Sequence, residues 1–147
     1  MNHQINEFID SFIGKKFLPK LPLEQVSCLD DSDLESVVMR YAHGDCHIWS
    51  LALFEKDQRL SIYGVFADKQ LIHSCVSNSE SFFDANGVQT QIELMAAWGF
   101  VDCQELHLVQ MTYDELFALV SPDQEEILEA DDNMEFWLNK TKQYLIS

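Results

Sequence analysis

Three side chains that together support nucleophilic catalysis occur in the chain order Cys46, His73 and Asp84. In such a trio the histidine accepts the thiol proton and the thiolate attacks a carbonyl carbon. The acid orients the imidazole and stabilises its charged form. The sequence therefore predicts a catalytic site made of Cys46, His73 and Asp84 that acts on an acyl group.

The candidate nucleophile lies where a loop gives way to a helix. Gly44 and Asp45 precede Cys46, and Asp45 is predicted to cap a helix whose apolar residues between Ile48 and Phe54 allow burial on most sides. The free N–H groups and the dipole of a helix start favour thiolate over thiol, which predicts a lowered pKa for Cys46. The structural alternative is that Cys46 packs as a small hydrophobe, because free cysteine is among the most buried residue types.

A predicted hairpin would bring the other two members together. Its strands are residues 71–76 and 81–84, and its loop is the polar segment 77–80. If the turn is centred between Asn78 and Ser79, His73 stands directly opposite Asp84 with the two Cβ atoms roughly 5 Å apart. The carboxylate then fixes the tautomer of the imidazole. The alternatives are a satisfied core histidine and a turn-forming aspartate.

A metal site is the competing chemical interpretation. Zinc would accept a ligand set of Cys46, His47, His73 and Cys75. However, the four cysteines, Cys28, Cys46, Cys75 and Cys103, form no C-x-x-C pair and show no standard zinc spacing. The triad is therefore favoured, with no metal and no cofactor.

The remaining elements can be predicted from apolar spacing and capping signals. An amphipathic helix is expected over residues 3–14, followed by an extended connection from Lys15 to Leu29 that contains Pro19 and Pro22. Three capping boxes are expected at Ser32 with Glu35, Thr90 with Glu93, and Thr112 with Glu115, and Ser121-Pro122 is expected to start a further turn. Strands are expected around residues 60–66 and 106–109, and a final helix is expected over residues 131–146.

Composition and charge bound the class of protein. A chain of 147 residues with 47% hydrophobic content is expected to form one domain, residues 1–147. The net charge of −16 argues against direct binding to nucleic acid or to an anionic membrane, because both need the Lys and Arg that this chain lacks. The sequence shows no signal peptide and no membrane-spanning run, so the expected location is the cytoplasm, or delivery into a target cell or host.

The order of these motifs resembles the papain-like cysteine protease superfamily, in particular its compact NlpC/P60 and transglutaminase-like branches. The resemblance runs from Tyr41 to Gly99 and rests on Gly44-Asp45-Cys46-His47, Ile72-His73-Ser74-Cys75-Val76 and Phe82-Phe83-Asp84-Ala85-Asn86-Gly87-Val88. It implies an α+β fold in which a nucleophile-bearing helix packs on a small antiparallel sheet. The papain-like core would cover about residues 30–112, with the first and last helices packed on it.

The resemblance also implies a function. The chain would be a cysteine hydrolase or acyl transferase that acts on an amide bond of a protein or peptide, as peptidases, amidases, deamidases and transglutaminases do. Papain-type peptidases place a glutamine before the nucleophile, whereas Arg40, Tyr41 and His43 occupy that region here. The backbone N–H of Cys46 or His47 would bind the oxyanion instead, with Tyr41 or His43 assisting.

The alternative function belongs to a different class. A chain this acidic could be a non-catalytic protein that binds a basic partner surface, as an inhibitor that imitates nucleic acid does. The cluster Glu125, Glu126, Glu129, Asp131 and Asp132 would then form the binding surface.

Overall fold

The chain is an α+β protein in which one helix, starting at Cys46, packs on an antiparallel sheet. This is a computed structural model, and it describes residues 3–15, 31–99 and 105–145. Within these residues there are six helices and one five-stranded sheet. The predicted class, with the Cys46 helix on a small antiparallel sheet, is confirmed. The predicted connection from Lys15 to Leu29 lies, beyond Lys15, outside the described residues.

Three of the six described helices precede the strands in the chain, one lies between the fourth and fifth strands, and two follow the last strand. The helices are α1 (His3–Ile13), α2 (Ser32–Met39), α3 (Cys46–Lys56), α4 (Gln91–Ala97), α5 (Tyr113–Val120) and α6 (Gln124–Leu145). A π-helical turn, Arg40–Gly44, joins α2 to α3. The strands are β1 (Ser61–Ala67), β2 (Gln70–Ser77), β3 (Phe82–Asp84), β4 (Gly87–Gln89) and β5 (Leu106–Met111), and their order in the sheet is β4-β3-β2-β1-β5.

The sheet carries apolar side chains on both faces, because neighbouring residues of a strand point to opposite sides. Val76 and Phe83 belong to the main core, which they share with α1, α2, α3 and α6. Cys75 and Phe82 belong to a smaller cluster on the other face, with Leu94 of α4. The helix that starts at Cys46 therefore lies on one face of the sheet and α4 lies on the other.

Two of the three predicted capping boxes are confirmed. Thr90 accepts a hydrogen bond from the backbone N–H of Glu93, and the Glu93 carboxylate accepts one from the N–H of Thr90. Thr112 and Glu115 form the same reciprocal pair at the start of α5. At α2 the prediction is wrong by one residue, because the carboxylate of Asp31, and not the hydroxyl of Ser32, accepts the N–H of Leu34 at 3.0 Å. Aspartate is at least as good an N-cap as serine.

The final helix begins at Gln124, so the prediction of a start at residue 131 is wrong. Asp123 and Glu126 form a capping box of their own, with N–H to carboxylate distances of 3.1 and 2.8 Å. The acidic stretch is therefore the first part of α6, where carboxylates at the helix start complement the dipole. Ser121 does not cap this helix but ends α5 in a left-handed conformation, with φ of 44°.

The β2–β3 hairpin has a register that differs from the predicted one. Val76 pairs with Phe83 and Ser77 with Phe82, so the turn is centred between Ser79 and Glu80. The Asn78 side chain explains the position of the turn, because its Oδ1 accepts the backbone N–H groups of Glu80 and Ser81 at 2.9 and 2.8 Å. Continuing this register, Cys75 and not His73 stands opposite Asp84. Since His73 lies two positions from Cys75 on β2, it keeps the same face of the sheet.

None of the helices in the described part of the chain combines the length and the apolar character that crossing a bilayer requires.

Candidate active site

His73 and Asp84 form a buried pair. Nε2 of His73 lies 2.7 Å from Oδ2 of Asp84, and the two side chains are 0% and 1% exposed. The pair is diagonal across the hairpin, because β3 ends at Asp84 and His73 lies beyond that end on β2. The predicted pairing is thus present despite the wrong register, since a shift of two residues leaves both side chains on one face.

The Asp84 carboxylate is fixed from its other side as well. Its Oδ1 accepts the backbone N–H of Asn86 at 2.8 Å and the Nε2 amide of Gln89 at 2.7 Å. The β3–β4 turn that supplies these donors depends on Gly87, whose φ of 115° suits glycine alone. Asp84 is therefore both the turn former and the partner of His73, so the two interpretations of this residue are compatible.

Cys46 is the first residue of α3 and follows the π-helical turn Arg40–Gly44. Asp45 stands at the N-cap position, but the prediction that its side chain caps the helix is wrong. Its carboxylate instead binds Nε of Arg40 at 2.8 Å, and Arg40 also binds Glu129 of α6 at 2.6 Å. As a result, the N-cap side chain does not occupy the first N–H groups of α3.

Electrostatics at the site favour a charged thiolate beside a charged imidazole. Burial alone would raise the pKa of the Cys46 thiol, but the imidazoles of His47 and His73 outweigh burial and lower the pKa to about 6. Burial alone would lower the pKa of His73, but the Asp84 carboxylate and the Cys46 sulfur outweigh it and raise the pKa to about 9. Each group therefore favours the charged form of the other.

The two ring nitrogens of His73 have different surroundings. Nε2 faces Asp84, whereas Nδ1 is buried and forms no hydrogen bond of good geometry with any other described residue. His73 lowers the pKa of the Cys46 thiol, and Cys46 raises the pKa of His73. Nδ1 is accordingly the nitrogen available to exchange a proton with Cys46.

A second imidazole contacts the sulfur directly. Nδ1 of His47 lies 3.6 Å from Sγ of Cys46 and 2.6 Å from Oγ of Ser74 on β2. Ser74 in turn lies 3.3 Å from Oγ of Ser50, one turn further along α3. Sequence reasoning considered His47 only as a zinc ligand or a backbone donor. The sequence signal for this contact was the presence of Ser50 and Ser74 within two largely apolar segments.

Aromatic packing covers the His73 ring. The ring of Trp98 stacks on it with centroids 4.6 Å apart, and the ring of His43 packs against Trp98 in a tilted arrangement with centroids 5.7 Å apart. Cys46 itself is 2% exposed. Trp98 follows the short helix α4, so α4 positions an apolar cover that excludes water from the charged pair.

The two side chains expected to assist at the oxyanion differ in their placement. Tyr41 is fully buried, its ring packs against Trp49, and its hydroxyl accepts a hydrogen bond from Asn133 of α6 at 3.0 Å. This core role removes Tyr41 from the expected oxyanion function. His43 is exposed and lies against Trp98.

The four residues considered as zinc ligands are not arranged as a metal site. Among the residues that the structure describes, no group of three or more His, Cys, Asp or Glu side chains is arranged to hold a metal ion. Cys46, His47, His73 and Cys75 therefore do not converge as a ligand set. Cys75 is fully buried, and burial together with the nearby charges of Asp84 and Cys46 raises the pKa of its thiol.

Comparison of the chain with protein-family models, with curated proteins and with solved structures gave no match.

Proposed function

We propose that this protein is a papain-like cysteine hydrolase or acyl transferase that acts on an amide bond of a protein or peptide. Cys46 is the nucleophile, His73 is the acid and base, and Asp84 orients His73. The observation that carries the proposal is the buried pair of His73 and Asp84, with the Nε2 to Oδ2 distance of 2.7 Å, whose imidazole also lowers the pKa of the Cys46 thiol. A thiolate with an imidazolium is the charge state that thiol catalysis needs before substrate arrives.

Acylation follows from the resting charges. The Cys46 thiolate attacks the amide carbonyl carbon, and the C=O electron pair moves to oxygen. The C–N bond then breaks as His73 gives its Nδ1 proton to the departing amine, which leaves Cys46 joined to the acyl group as a thioester. Asp84 keeps Nε2 protonated throughout, so only Nδ1 exchanges the proton.

Deacylation reverses the proton path. Neutral His73 removes a proton from water, or from an acceptor amine, which then attacks the thioester carbonyl carbon. The C–S bond breaks and its electron pair returns to Cys46. Hydrolysis releases a carboxylic acid and an amine acceptor yields a new amide, so one site supports both reaction types.

The start of α3 supports stabilisation of the oxyanion. Because the Asp45 carboxylate binds Arg40, it does not compete for the N–H groups of the first helical turn. The backbone N–H groups of Cys46 and His47 would donate to the oxygen as it gains charge. Such a donor typically contributes about 10²–10³ in kcat.

The test is a screen for amine release from a library of peptides and amides, with the wild type and three variants. Cys46→Ala and His73→Ala are expected to abolish release above background. Cys75→Ser is the matched control, because both thiols are buried but the pKa of Cys75 is raised whereas that of Cys46 is lowered. Mass spectrometry of the quenched reaction is expected to find the acyl group on Cys46. Equal release by the wild type and Cys46→Ala would overturn the proposal.

A second candidate function, binding of a basic partner, is favoured by a groove of about 440 Å³ along the first part of α6. Its lining is Asp123, Glu125, Glu126, Leu128, Glu129 and Asp132. Of the five residues predicted to bind such a partner, Glu129 is paired with Arg40 and Asp131 is buried beside Lys56 at 2.8 Å. That leaves Glu125, Asp132 and Glu126 as the candidate contact residues, although the Glu126 carboxylate also accepts the N–H of Asp123.

Titration with a lysine-rich peptide tests this candidate. Binding by the wild type that weakens with salt and is lost in a Glu125→Gln, Glu126→Gln, Asp132→Asn triple variant would support it, since exposed charges are screened over about 8 Å at physiological ionic strength. Cys46→Ala is the control and should bind as the wild type does. Equal binding by the triple variant and the wild type would reject the groove as the binding surface.

A further inference from the structure

The polar contacts between α3 and β2 fix the direction of every hydrogen bond in a short chain. The hydroxyl of Ser50 donates its single hydrogen to the carbonyl oxygen of Cys46 at 3.0 Å. A serine hydroxyl has one hydrogen to donate, so Ser50 accepts in its 3.3 Å contact with Ser74. Ser74 is therefore the donor in that contact.

The same counting determines which nitrogen of His47 carries a hydrogen. Because the hydrogen of Ser74 goes to Ser50, Ser74 accepts in its 2.6 Å contact with Nδ1 of His47. Nδ1 must then be an N–H donor. That atom is also the one that lies 3.6 Å from Sγ of Cys46, so its single hydrogen, which is bound mainly by the serine oxygen at 2.6 Å, is shared with the sulfur in a three-centre hydrogen bond.

We propose that His47 is a second catalytic imidazole, which donates a hydrogen bond from Nδ1 to the sulfur of Cys46 and is held in that tautomer by Ser74 and Ser50. The inference rests on the thiol chemistry proposed above. His47 needs no positive charge for this role, because a neutral imidazole with hydrogen on Nδ1 is still a donor. Ser74 and Ser50 are positioning residues, fully buried beneath the site.

The arrangement gives the sulfur a donor that exchanges no proton. His73 moves between its charged and neutral forms as it gives a proton to the leaving amine and takes one from the incoming nucleophile. The His47 N–H stays in place through both steps and meets the electron pair that returns to sulfur when the C–S bond breaks. The imidazoles of His47 and His73 both lower the pKa of the Cys46 thiol, which agrees with two donors at the sulfur.

The test is the rate of Cys46 alkylation by iodoacetamide across a pH series, measured by peptide mass spectrometry on the full chain. His47→Leu removes the donor and is expected to slow alkylation about tenfold at pH 7, by moving the midpoint to higher pH. His47→Asn places an amide N–H near the position of Nδ1 and is expected to restore most of the rate. Ser74→Ala, which frees the His47 ring, is expected to lie between them.

The control is His107→Leu, which changes an exposed histidine on β5 and should leave the midpoint unchanged. A midpoint in His47→Leu equal to that of the wild type would overturn the inference while the proposed function stands, provided that the wild-type midpoint is low. A wild-type midpoint near that of ordinary cysteine would overturn both. If His47→Leu does not fold, a midpoint in Ser74→Ala equal to that of the wild type overturns the donor role of the ring.

Discussion

Nε2 of His73 lies 2.7 Å from Oδ2 of Asp84, although the hairpin register sets Cys75 opposite Asp84. The contact is possible because β3 ends at Asp84. The imidazole of His73 can therefore extend along β2 towards Cys75 and meet the Asp84 carboxylate diagonally. The second ring nitrogen of His73, Nδ1, is buried and forms no hydrogen bond with another described residue. This diagonal pair is the geometric basis of the proposed site.

Asp84→Asn should disable the site with little change in shape. An amide has one oxygen, so if it accepts from His73, its NH₂ group faces the N–H of Asn86 and the amide of Gln89. We expect the pKa of His73 to fall and kcat/KM to fall by at least about 10²-fold, with a folded chain by circular dichroism. The matched control is Gln89→Met, which removes only one donor to Oδ1 and should cost far less. Equal losses in the two variants would contradict the role of Asp84.

Activity should follow a bell-shaped pH profile. As the pH falls through about 6 the Cys46 thiolate gains a proton, and the nucleophile is lost. As the pH rises through about 9 the His73 imidazolium loses the proton that the leaving amine needs. We therefore expect kcat/KM to be highest between these values. A profile that rises through only one midpoint, at the pKa of an ordinary thiol, would contradict the ion pair.

Two core tryptophans offer a matched test of how α6 supports the site. Nε1 of Trp137 donates to the carbonyl oxygen of Ala85, in the turn after Asp84, at 2.9 Å. Nε1 of Trp49 is buried and has no hydrogen-bond partner within the described residues. Trp137→Phe should therefore lower the free energy of unfolding by about 1–2 kcal/mol more than Trp49→Phe, because it leaves a buried carbonyl unpaired. Urea unfolding measures the difference, and equal losses would show that the contact with Ala85 contributes nothing.

Gly64 of β1 lies close to side chains of both neighbouring strands, β2 and β5. A Cβ atom there would come within 2.7 Å of Cδ1 of Leu71 and of Sδ of Met111. Gly64→Ala should cost about 1–3 kcal/mol of unfolding free energy, because the neighbouring side chains must move. In Gly44→Ala the new Cβ would have no atom within 4 Å, so its cost should be within about 0.5 kcal/mol of zero. Thermal unfolding of both variants compares them, and similar losses would contradict the packing explanation.

The sequence determines local structure best where one short signal acts alone. The boxes at Thr90 and Thr112 are predicted correctly because each needs only two residues at fixed spacing. Two other cap predictions are wrong, because in each case a nearby aspartate forms a contact that the spacing of the cap residues does not reveal. Asp31 competes with Ser32 for the cap, and Asp45 is drawn to Arg40, which tertiary contact with Glu129 holds in place.

The pairing of His73 with Asp84 was predictable from the sequence, but the register that brings them together was not. Successive side chains of a strand point to opposite faces of the sheet. His73 and Asp84 therefore stay on one face after any shift of register by an even number of residues. The turn position depends on which amides the Asn78 side chain accepts, and spacing does not reveal that. The contact of His47 with Ser74 depends on how α3 lies across β2, which is a property of the packed core.

The most direct measurement is the ultraviolet absorbance of thiolate as a function of pH, in the wild type minus Cys46→Ala. If Cys46 and His73 form the proposed ion pair, the difference titrates with a midpoint near 6, and His73→Ala moves the midpoint upward. A midpoint at or above about 8.5, the value of an unperturbed cysteine, would contradict the central claim.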